Sequence, residues 1–490
     1  MNPGAVAAVV VDMSKNIPQP YGHAIVLGGS MAGLVTAQAL SKHFRRVTIV
    51  ERDCLPKEPA ARPGVPQGEH LHALLPGGAD ALESLLPGFA SGLIAAGGNA
   101  LAIPTDMVWL NSVGWIRRIP ERHRLVAASR DLIEWHTRRL VASTPTISIL
   151  EGRSVLDLCL SDDRTTVTGV TLVDGAGSNH DSNRPVETLA TDLVVDATGR
   201  RSRLPDWLER LGYDRPAETR IDAHLSYASR IYRRPPGDRD WKGIFLQPKP
   251  PMTSRMGLLF PIEGDRWIVT VQGAGDDRPP TDDAGFEAFT ASLRSSAIHD
   301  AIRDAEPLTS PVGFANTSNR RRHFDRARRW PDRLLAVGDS ACAFNPVYGQ
   351  GMSVSAKTAV AIDQELARHR RTQQTLDGFV RPMQRRVAKE GEAAWMIATG
   401  DDLRMPTTTG AVANRATRMQ HRYLDRVMAA ATTDEVVLAA MMQVHFLTAQ
   451  PTVLFRPNIV ARALLRGRRE PGDKRPALER LAPPFEYVAE

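Results

Sequence analysis

The residues with the clearest chemical pattern lie at 334–352, LLAVGDSACAFNPVYGQGM. An apolar, strand-like run ends at Gly338 and Asp339, and a proline- and glycine-rich turn then leads into a helix-like segment. A carboxylate at a strand end accepts hydrogen bonds from hydroxyl groups, and a glycine turn before a helix brings N–H groups close to an electron-rich ligand. This chemistry suits the ribityl chain and ring edge of a flavin. The turn adds the candidate contacts Pro346, Gly349, Gly351 and Met352.

A second signal, near the N-terminus, has the pattern of a dinucleotide-binding βαβ unit. The strand-like run HAIVL is followed by GGSMAG, a helix-like segment and the strand-like run RRVTIVE, which ends at Glu51. Glycines permit the tight turn and close helix packing, and the acid accepts from a ribose hydroxyl. Ser30 replaces the usual second glycine and prefers negative φ, so we expect a looser turn. The predicted contacts are Gly28, Ser30, Met31, Ala32, Gly33 and Glu51.

A third segment, DLVVDATGRRSR at 192–203, reads as a buried strand that turns at Thr198 and Gly199. Alone it fits any strand-end turn. Its value comes from its place in the order of the three segments: the glycine-rich unit, this turn, and then Gly338 with Asp339.

These three motifs, in this order, resemble the FAD-dependent group A monooxygenases with the p-hydroxybenzoate hydroxylase fold. The resemblance covers about residues 22–400. The segments GVPQGEHLHALLPGGADALESLLPG and GWIRRIP…AASRDLIEW are most similar to the bacterial branch that includes polyether-type flavin epoxidases. Thr198 stands where the aromatic hydroxylases carry an aspartate that helps to seat FAD and the nicotinamide donor. The electron donor is therefore either NAD(P)H or a reduced flavin from a separate reductase.

The resemblance also implies single contacts to FAD. Arg130 matches an FAD-contacting arginine, and its planar fork of donors suits a pyrophosphate; a surface role is the alternative. Arg52 lies either against adenine or in solvent. The remaining candidates are Arg62, Gln67, His70 near the flavin edge, and Val155 through its backbone.

Two other groups of residues have competing interpretations. His70 and His72 would share one face of a strand, but no third residue has suitable spacing for a metal site, so we expect no metal. Four aromatic residues are either core residues or the wall of an apolar substrate pocket: Trp109, Trp115, Phe260 and Trp267.

Composition excludes several classes of protein. The 490 residues carry a net charge of +7 without a basic run interleaved with aromatics, so we expect no nucleic-acid partner. The longest uncharged run, 436–455, is interrupted by polar residues and Pro451, which predicts a packed helix to about Ala449 and no transmembrane segment. The apolar run at 5–11 has no basic residue before it and does not fit a signal peptide. Three widely spaced cysteines favour a reducing compartment, and we expect the cytoplasm.

The predicted fold is α/β, with a Rossmann-like FAD-binding domain of the glutathione-reductase type, an inserted β-rich substrate domain and a helical C-terminal region. The predicted boundaries are 1–99, 126–215 and 331–400 for the FAD-binding domain, 100–125 and 216–330 for the substrate domain, and 401–490 for the helical region.

The resemblance implies that the protein inserts one oxygen atom from O2 into a hydrophobic small molecule through a flavin C4a-hydroperoxide. Epoxidation of a polyketide- or terpenoid-like alkene is favoured, because alkenes need no protein base and no catalytic Tyr or His stands out in the sequence. The alternatives are an aromatic hydroxylase, a flavin-dependent isoprenoid reductase, and a non-redox cyclase that contains FAD. No catalytic side chain is assigned.

Overall fold

The computed structural model describes residues 20–120, 123–175 and 185–467. The predictions for the apolar run at 5–11 and for the end of the C-terminal region lie outside these residues. In the described ranges the strands are β1 Tyr21–Leu27, β2 Phe44–Val50, β3 Ala73–Leu74, β4 Asn99–Ile103, β5 Met107–Leu110, β6 His123–Ala127, β7 Ile147–Leu150, β8 Arg153–Leu160, β9 Val167–Asp174, β10 Val186–Ala190, β11 Leu193–Asp196, β12 Glu218–Ile221, β13 Leu225–Arg233, β14 Gly243–Leu246, β15 Met256–Ile262, β16 Arg266–Ala274, β17 Val312–Phe314, β18 Asn319–Arg322, β19 Leu334–Ala336 and β20 Cys342–Ala343.

The helices in the same ranges are α1 Met31–Ser41, α2 Pro76–Leu85, α3 Phe89–Ala95, α4 Arg130–Ala142, α5 Leu204–Arg210, α6 Asp283–Ala291, α7 Ala297–Ile302, α8 Gly351–His369, α9 Val380–Glu390, α10 Glu392–Asp402, α11 Arg415–Ala431, α12 Glu435–His445 and α13 Pro457–Arg466.

A five-stranded parallel sheet forms the first domain, with the strand order β19-β11-β1-β2-β7. Its strands are almost continuously apolar because both faces are covered, as is usual for parallel sheets. Helix α1 packs against α4 and α8, and all three share one hydrophobic core with the sheet. A three-stranded antiparallel sheet, β10-β9-β8, follows the fourth helix. This arrangement confirms the predicted Rossmann-like domain.

A six-stranded sheet with the order β17-β13-β16-β15-β14-β5 forms the second, β-rich part. The Glu263–Asp265 turn joins β15 to β16 as an antiparallel hairpin, which the sequence predicted. One face of this sheet packs against α6 and α7, and the other faces α11, α12 and the segment after them.

The C-terminal region is helical as far as residue 466. The predicted long helix to Ala449 is wrong in its length: α12 ends at His445, because Leu447 adopts φ of 59° and turns the chain. Among the described helices, none combines the length and the apolar composition needed to cross a membrane. The domain boundaries proposed from the sequence remain predictions.

Candidate functional site

The three sequence motifs meet at one edge of the parallel sheet. Leu27 pairs with Val50 and with Asp196, and Asp196 pairs in turn with Ala336. The residues that directly follow the ends of these strands belong to the three predicted motifs. Because ligands of open α/β sheets bind outside the carboxyl ends of the strands, this edge is the expected dinucleotide site.

The first glycine turn is tightly packed, and its shape explains the glycines. Gly28 has φ of 99°, and a Cβ atom on Gly33 would lie 1.8 Å from the carbonyl oxygen of Gly28. Ser30 has φ of −95°, which any residue adopts, so serine fits without strain. The expected looseness at this position is therefore wrong. Met31 and Ala32 form the first turn of α1, whose N–H groups face the turn.

Glu51 closes the side of this turn. Its carboxylate accepts from the backbone N–H of Gly29 at 2.7 Å and of Asp53 at 2.9 Å. Arg52 is 46% exposed, with its Nε 3.8 Å from Asp53, so the structure favours the solvent-facing alternative for its side chain. Strand β8 starts beside Glu51, since the N–H of Arg153 donates to the Glu51 carbonyl, and half-buried Val155 lies two residues further along.

A buried network of charges lies over the same turn. Arg130 donates to Ser30 Oγ at 2.6 Å and to Glu134 at 2.8 Å, while Arg62 donates to Glu134 at 2.7 Å and to Asp53 at 2.7 Å. Burial disfavours the Glu134 carboxylate, but Arg130 and Arg62 outweigh it and lower the pKa of Glu134 to about 2.

Glu134 was not predicted from the sequence, although its position four residues after Arg130 on a helix indicates that the two side chains can pair. Arg62 Nη2 and Arg130 Nε have no protein partner in spite of their burial. Both atoms are donors, and they suit the oxygens of a pyrophosphate. Gln67 lies in a 3₁₀ turn that packs against α4, close to Arg130.

The last motif packs directly on the first two. A Cβ atom on Gly338, which has φ of 57°, would lie 2.7 Å from Ala32 Cβ. The N–H of Gly199, the residue after Thr198, donates to Ser340 Oγ at 3.0 Å. Asp339 lies in the 3₁₀ turn between these contacts, with its carboxylate 3.6 Å from Arg200 Nε.

The segment from Asn345 to Gly349, called the flavin turn below, leads into α8. Asn345 accepts from the Val347 N–H at 3.2 Å, and Gly349 has φ of 67°. A Cβ atom on Gly349 or Gly351 would meet nothing within 4 Å, which leaves open space above the start of the helix. Fully buried Gln350 has no partner for either polar side-chain atom. An open glycine cradle with an unpartnered amide and helical N–H groups fits the polar edge of a flavin ring.

Gln350 was not among the sequence candidates, although it lies inside the predicted motif. Met352 occupies the first turn of α8 and is buried.

A cavity of about 720 Å³ begins at the flavin turn and runs across the six-stranded sheet. The residues of its floor alternate along the strands: Met256, Leu258, Phe260, Thr270 and Gln272 line the cavity. Pro346 and Gly349 line it from the flavin side. Helices α10 to α12 contribute the wall opposite the sheet. The predicted site residues are thus shared between a dinucleotide edge and an adjoining apolar chamber.

Two of the four candidate pocket aromatics line this cavity. Trp109 stacks on Phe245 with ring centroids 5.6 Å apart, and both line the chamber with Phe260. Trp267 lies on the opposite face of the sheet, where its ring stacks on Trp241 at 5.7 Å. Trp115 packs into the same opposite core. The pocket assignment of both is corrected: Trp267 points away from the cavity because alternate residues of a strand face opposite sides, and Trp115, between β5 and β6, packs into the opposite core.

His70 and His72 both line the cavity but have different hydrogen-bond partners. His70 Nδ1 is hydrogen-bonded to Ser229 at 2.8 Å, and its ring lies edge-on to Tyr227 at 4.7 Å. His72 Nδ1–H donates to the His70 carbonyl at 2.9 Å, which leaves Nε2 as its acceptor nitrogen. Burial lowers the pKa of His70 to about 4 and that of His72 to about 3, so both are neutral near pH 7. Among the described residues, no group of three or more His, Cys, Asp or Glu side chains is arranged to hold a metal ion.

Comparison with known proteins gives a relative over most of the chain. The Mycobacterium tuberculosis protein Rv3254 is 33% identical over 429 residues, which cover 87% of this chain and 89% of that protein. The chain belongs to the Rv3254 family. No general family model matches the chain. A rifampicin monooxygenase from Streptomyces venezuelae is 26% identical over 350 residues, covering 70% of this chain and 63% of that enzyme.

The fold of this Rv3254-family protein is shared with solved flavin enzymes. The flavin-dependent brominase Bmp2 superposes with a TM-score of 0.63 over 90% of this chain and 98% of the brominase, at 14% identity. This chain therefore has the FAD-binding fold of flavin-dependent monooxygenases and halogenases. The polyether-epoxidase subtype remains a prediction.

Proposed function

We propose that the protein is an FAD-dependent monooxygenase that transfers one oxygen atom from O2 to a hydrophobic small molecule. The observation that carries this proposal is the junction of two sites. The flavin turn closes the dinucleotide edge on one side and forms a wall of the 720 Å³ cavity on the other. A ring held at this turn would face any molecule in the cavity.

The residues present fit FAD along its whole length. Glu51 would accept from the adenosine ribose, and Arg130 with Arg62 would bind the pyrophosphate above Ser30. Asp339 would accept from the ribityl hydroxyls. Gln350 and the first N–H groups of α8 would hold the pyrimidine edge of the ring, where negative charge develops on reduction. When bound, FAD supplies the redox chemistry that activates O2.

The chamber itself performs two tasks. Its apolar floor excludes water and orients the substrate carbon toward the flavin turn. Four histidines line the chamber and stay neutral near pH 7: besides His70 and His72, burial lowers the pKa of His445 to about 4 and that of His421 below its ordinary value. None of the four histidines is a base matched to neutral pH. This favours a reaction that needs no protein base, and we therefore propose epoxidation of an alkene of the polyketide or terpenoid class.

Aromatic hydroxylation is the second candidate, and one observation favours it. Tyr348 lines the cavity and donates to Asp402 at 2.8 Å. Burial raises the pKa of Asp402 to about 7, which suits a group that exchanges a proton near neutral pH. A phenolic substrate that accelerates flavin reduction would select this candidate.

We further propose an electron source and a cellular location. NAD(P)H or a separate flavin reductase supplies the electrons, and Thr198 in place of an acid favours the reductase. The described cysteines Cys54, Cys159 and Cys342 are free thiols, which supports a cytoplasmic location.

The test is turnover under ¹⁸O₂ with NADPH and a flavin reductase, using a linear isoprenoid polyene and a polycyclic phenol as probes. One ¹⁸O atom in an epoxide is the expected result, and one in a new phenolic hydroxyl selects the second candidate. Turnover without O2 would instead identify a reductase, and turnover without an electron donor would identify a cyclase. Absence of ¹⁸O from every product would contradict oxygenation.

A matched variant ties the activity to the chamber. Leu258→Trp places a larger ring on the cavity floor and leaves the dinucleotide edge unchanged. We expect it to retain FAD and to lose turnover of the larger probe.

A further inference from the structure

The last residue of α10, Asp402, is fully buried directly behind the flavin turn. Its carboxylate accepts from Asn319 Nδ2 at 2.6 Å, from the Tyr348 hydroxyl at 2.8 Å and from Asn345 Nδ2 at 3.3 Å. Two of these donors belong to the flavin turn. A single carboxylate from the C-terminal region therefore holds two residues of the segment that shapes the proposed ring site.

The same carboxylate belongs to a set of hydrogen bonds that links the two parts of the molecule. Asn319 begins β18 and accepts from the Asn345 N–H at 2.7 Å, so it ties Asp402 to the flavin turn a second time. After Asp402 the chain bonds to the substrate sheet region, where Thr407 donates to the Ala223 carbonyl at 2.6 Å. Movement of Asp402 would therefore displace residues of the flavin turn and of the cavity wall.

The chemistry of the three donors makes the protonation state of Asp402 matter. The amide groups of Asn319 and Asn345 are donors at these contacts, so a proton on Asp402 has one suitable acceptor, the oxygen of Tyr348. The Tyr348–Asp402 hydrogen bond must then reverse its direction. The tyrosine proton, released from Asp402, becomes available to a group in the cavity that Tyr348 lines.

We propose that Asp402 is a positioning residue that sets the direction of the Tyr348 hydrogen bond and, through it, the affinity of the flavin turn for FAD. With Asp402 ionised, Tyr348 and Asn345 are both anchored and the turn is held. With Asp402 neutral, Tyr348 accepts from Asp402 and turns its own proton toward the cavity, the anchoring by a charged carboxylate is lost, and FAD is bound more weakly. The effect on FAD rests on the proposed function, whereas the reversal of the hydrogen bond does not.

Several groups around Asp402 tune its proton affinity. Burial raises its pKa to about 7, and the negative charge of Asp401 adds to that increase, whereas the hydrogen bonds from Tyr348, Asn345 and Asn319 lower it. Arg404 lies 3.6 Å from Asp401 and pairs with Asp425 of α11 at 2.7 Å. Asp401 and the three hydrogen-bond donors therefore each shift the pKa of Asp402 in a definite direction.

The first experiment uses the full-length protein without added flavin and follows its urea midpoint from about pH 5 to about pH 8. A carboxyl group whose pKa is raised by folding stabilises the native state below its unfolded pKa, and that stabilisation is lost as pH rises toward 7. The wild-type midpoint should therefore fall with pH relative to that of Asp402→Asn. Tyr348→Phe removes a hydrogen bond to the carboxylate, so the step should move to higher pH. Asp401→Asn is the matched control, because removal of its charge should move the step to lower pH.

The second experiment measures FAD binding to the same proteins over the same pH range. Wild-type affinity should fall by about threefold or more below pH 7, with a shift of the flavin absorption band. Asp402→Asn imitates the neutral acid and should keep the weaker affinity at every pH. A wild-type step that survives in Asp402→Asn, or that does not move in Tyr348→Phe, would overturn the proposal. Failure of the wild type to bind FAD would instead contradict the proposed function, while the urea data still decide the role of Asp402.

Discussion

Single residues of the dinucleotide edge are fixed by space and by charge. Gly33 is required because a Cβ atom there would overlap the carbonyl of Gly28, at 1.8 Å. Ser30 departs from the usual glycine without penalty, since its backbone is extended and α1 begins at the next residue. At this scale the sequence pattern carries most of the information, because the glycine positions follow from local geometry.

Asp339 is the residue whose loss should be most specific. Asp339→Ala removes the acceptor proposed for the ribityl hydroxyls and leaves Arg200 without that charge. We expect FAD affinity to fall by about tenfold or more with little change in the melting temperature, because the side chain is 37% exposed. Fluorescence titration with FAD measures the loss. Asp363→Ala, which removes a partner of Lys42 and His43 far along α8, is the control and should retain wild-type affinity.

At the scale of elements, α4 brings the charged groups of the site together. Its position was predicted from SRDLIEW, but the buried partners of Arg130 were not. Arg62 comes from a loop about 70 residues earlier, and no local pattern reports that it meets Glu134. The pocket prediction for Trp267 was wrong for a related reason. Trp109 and Trp267 are both apolar residues in strands, and only the register of each strand with its neighbours decides which face of the sheet each side chain occupies.

The network around Glu134 predicts a definite pH dependence. Folding lowers the pKa of this carboxyl group to about 2, so its stabilising effect is present above the pKa of the unfolded chain and is lost as pH falls toward 2. The wild type should lose about 3 kcal/mol of unfolding free energy relative to Glu134→Gln between pH 5 and pH 2. Urea unfolding of both proteins across that range checks this. Parallel curves would show that Glu134 does not ionise differently in the two states.

At the scale of the whole molecule, the sequence predicted the order of the elements along the chain better than the contacts between distant elements. The parallel sheet, the β-rich part and the helical end follow from periodicity and turn residues. The contact between Asp402 and the flavin turn joins residues more than 50 positions apart, and it depends on how α10 packs under β18. The cavity arises from the same packing, since α10 to α12 close the chamber over a sheet formed some 150 residues earlier.

The most direct test of the account is the flavin content of the purified full-length protein. After reconstitution with FAD and removal of free cofactor, the protein should carry about one FAD for each chain, and NADPH with a flavin reductase should bleach its visible band. Gly33→Ala, purified in the same way, should carry almost none. A folded, colourless wild-type protein with no measurable affinity for FAD would contradict the central claim.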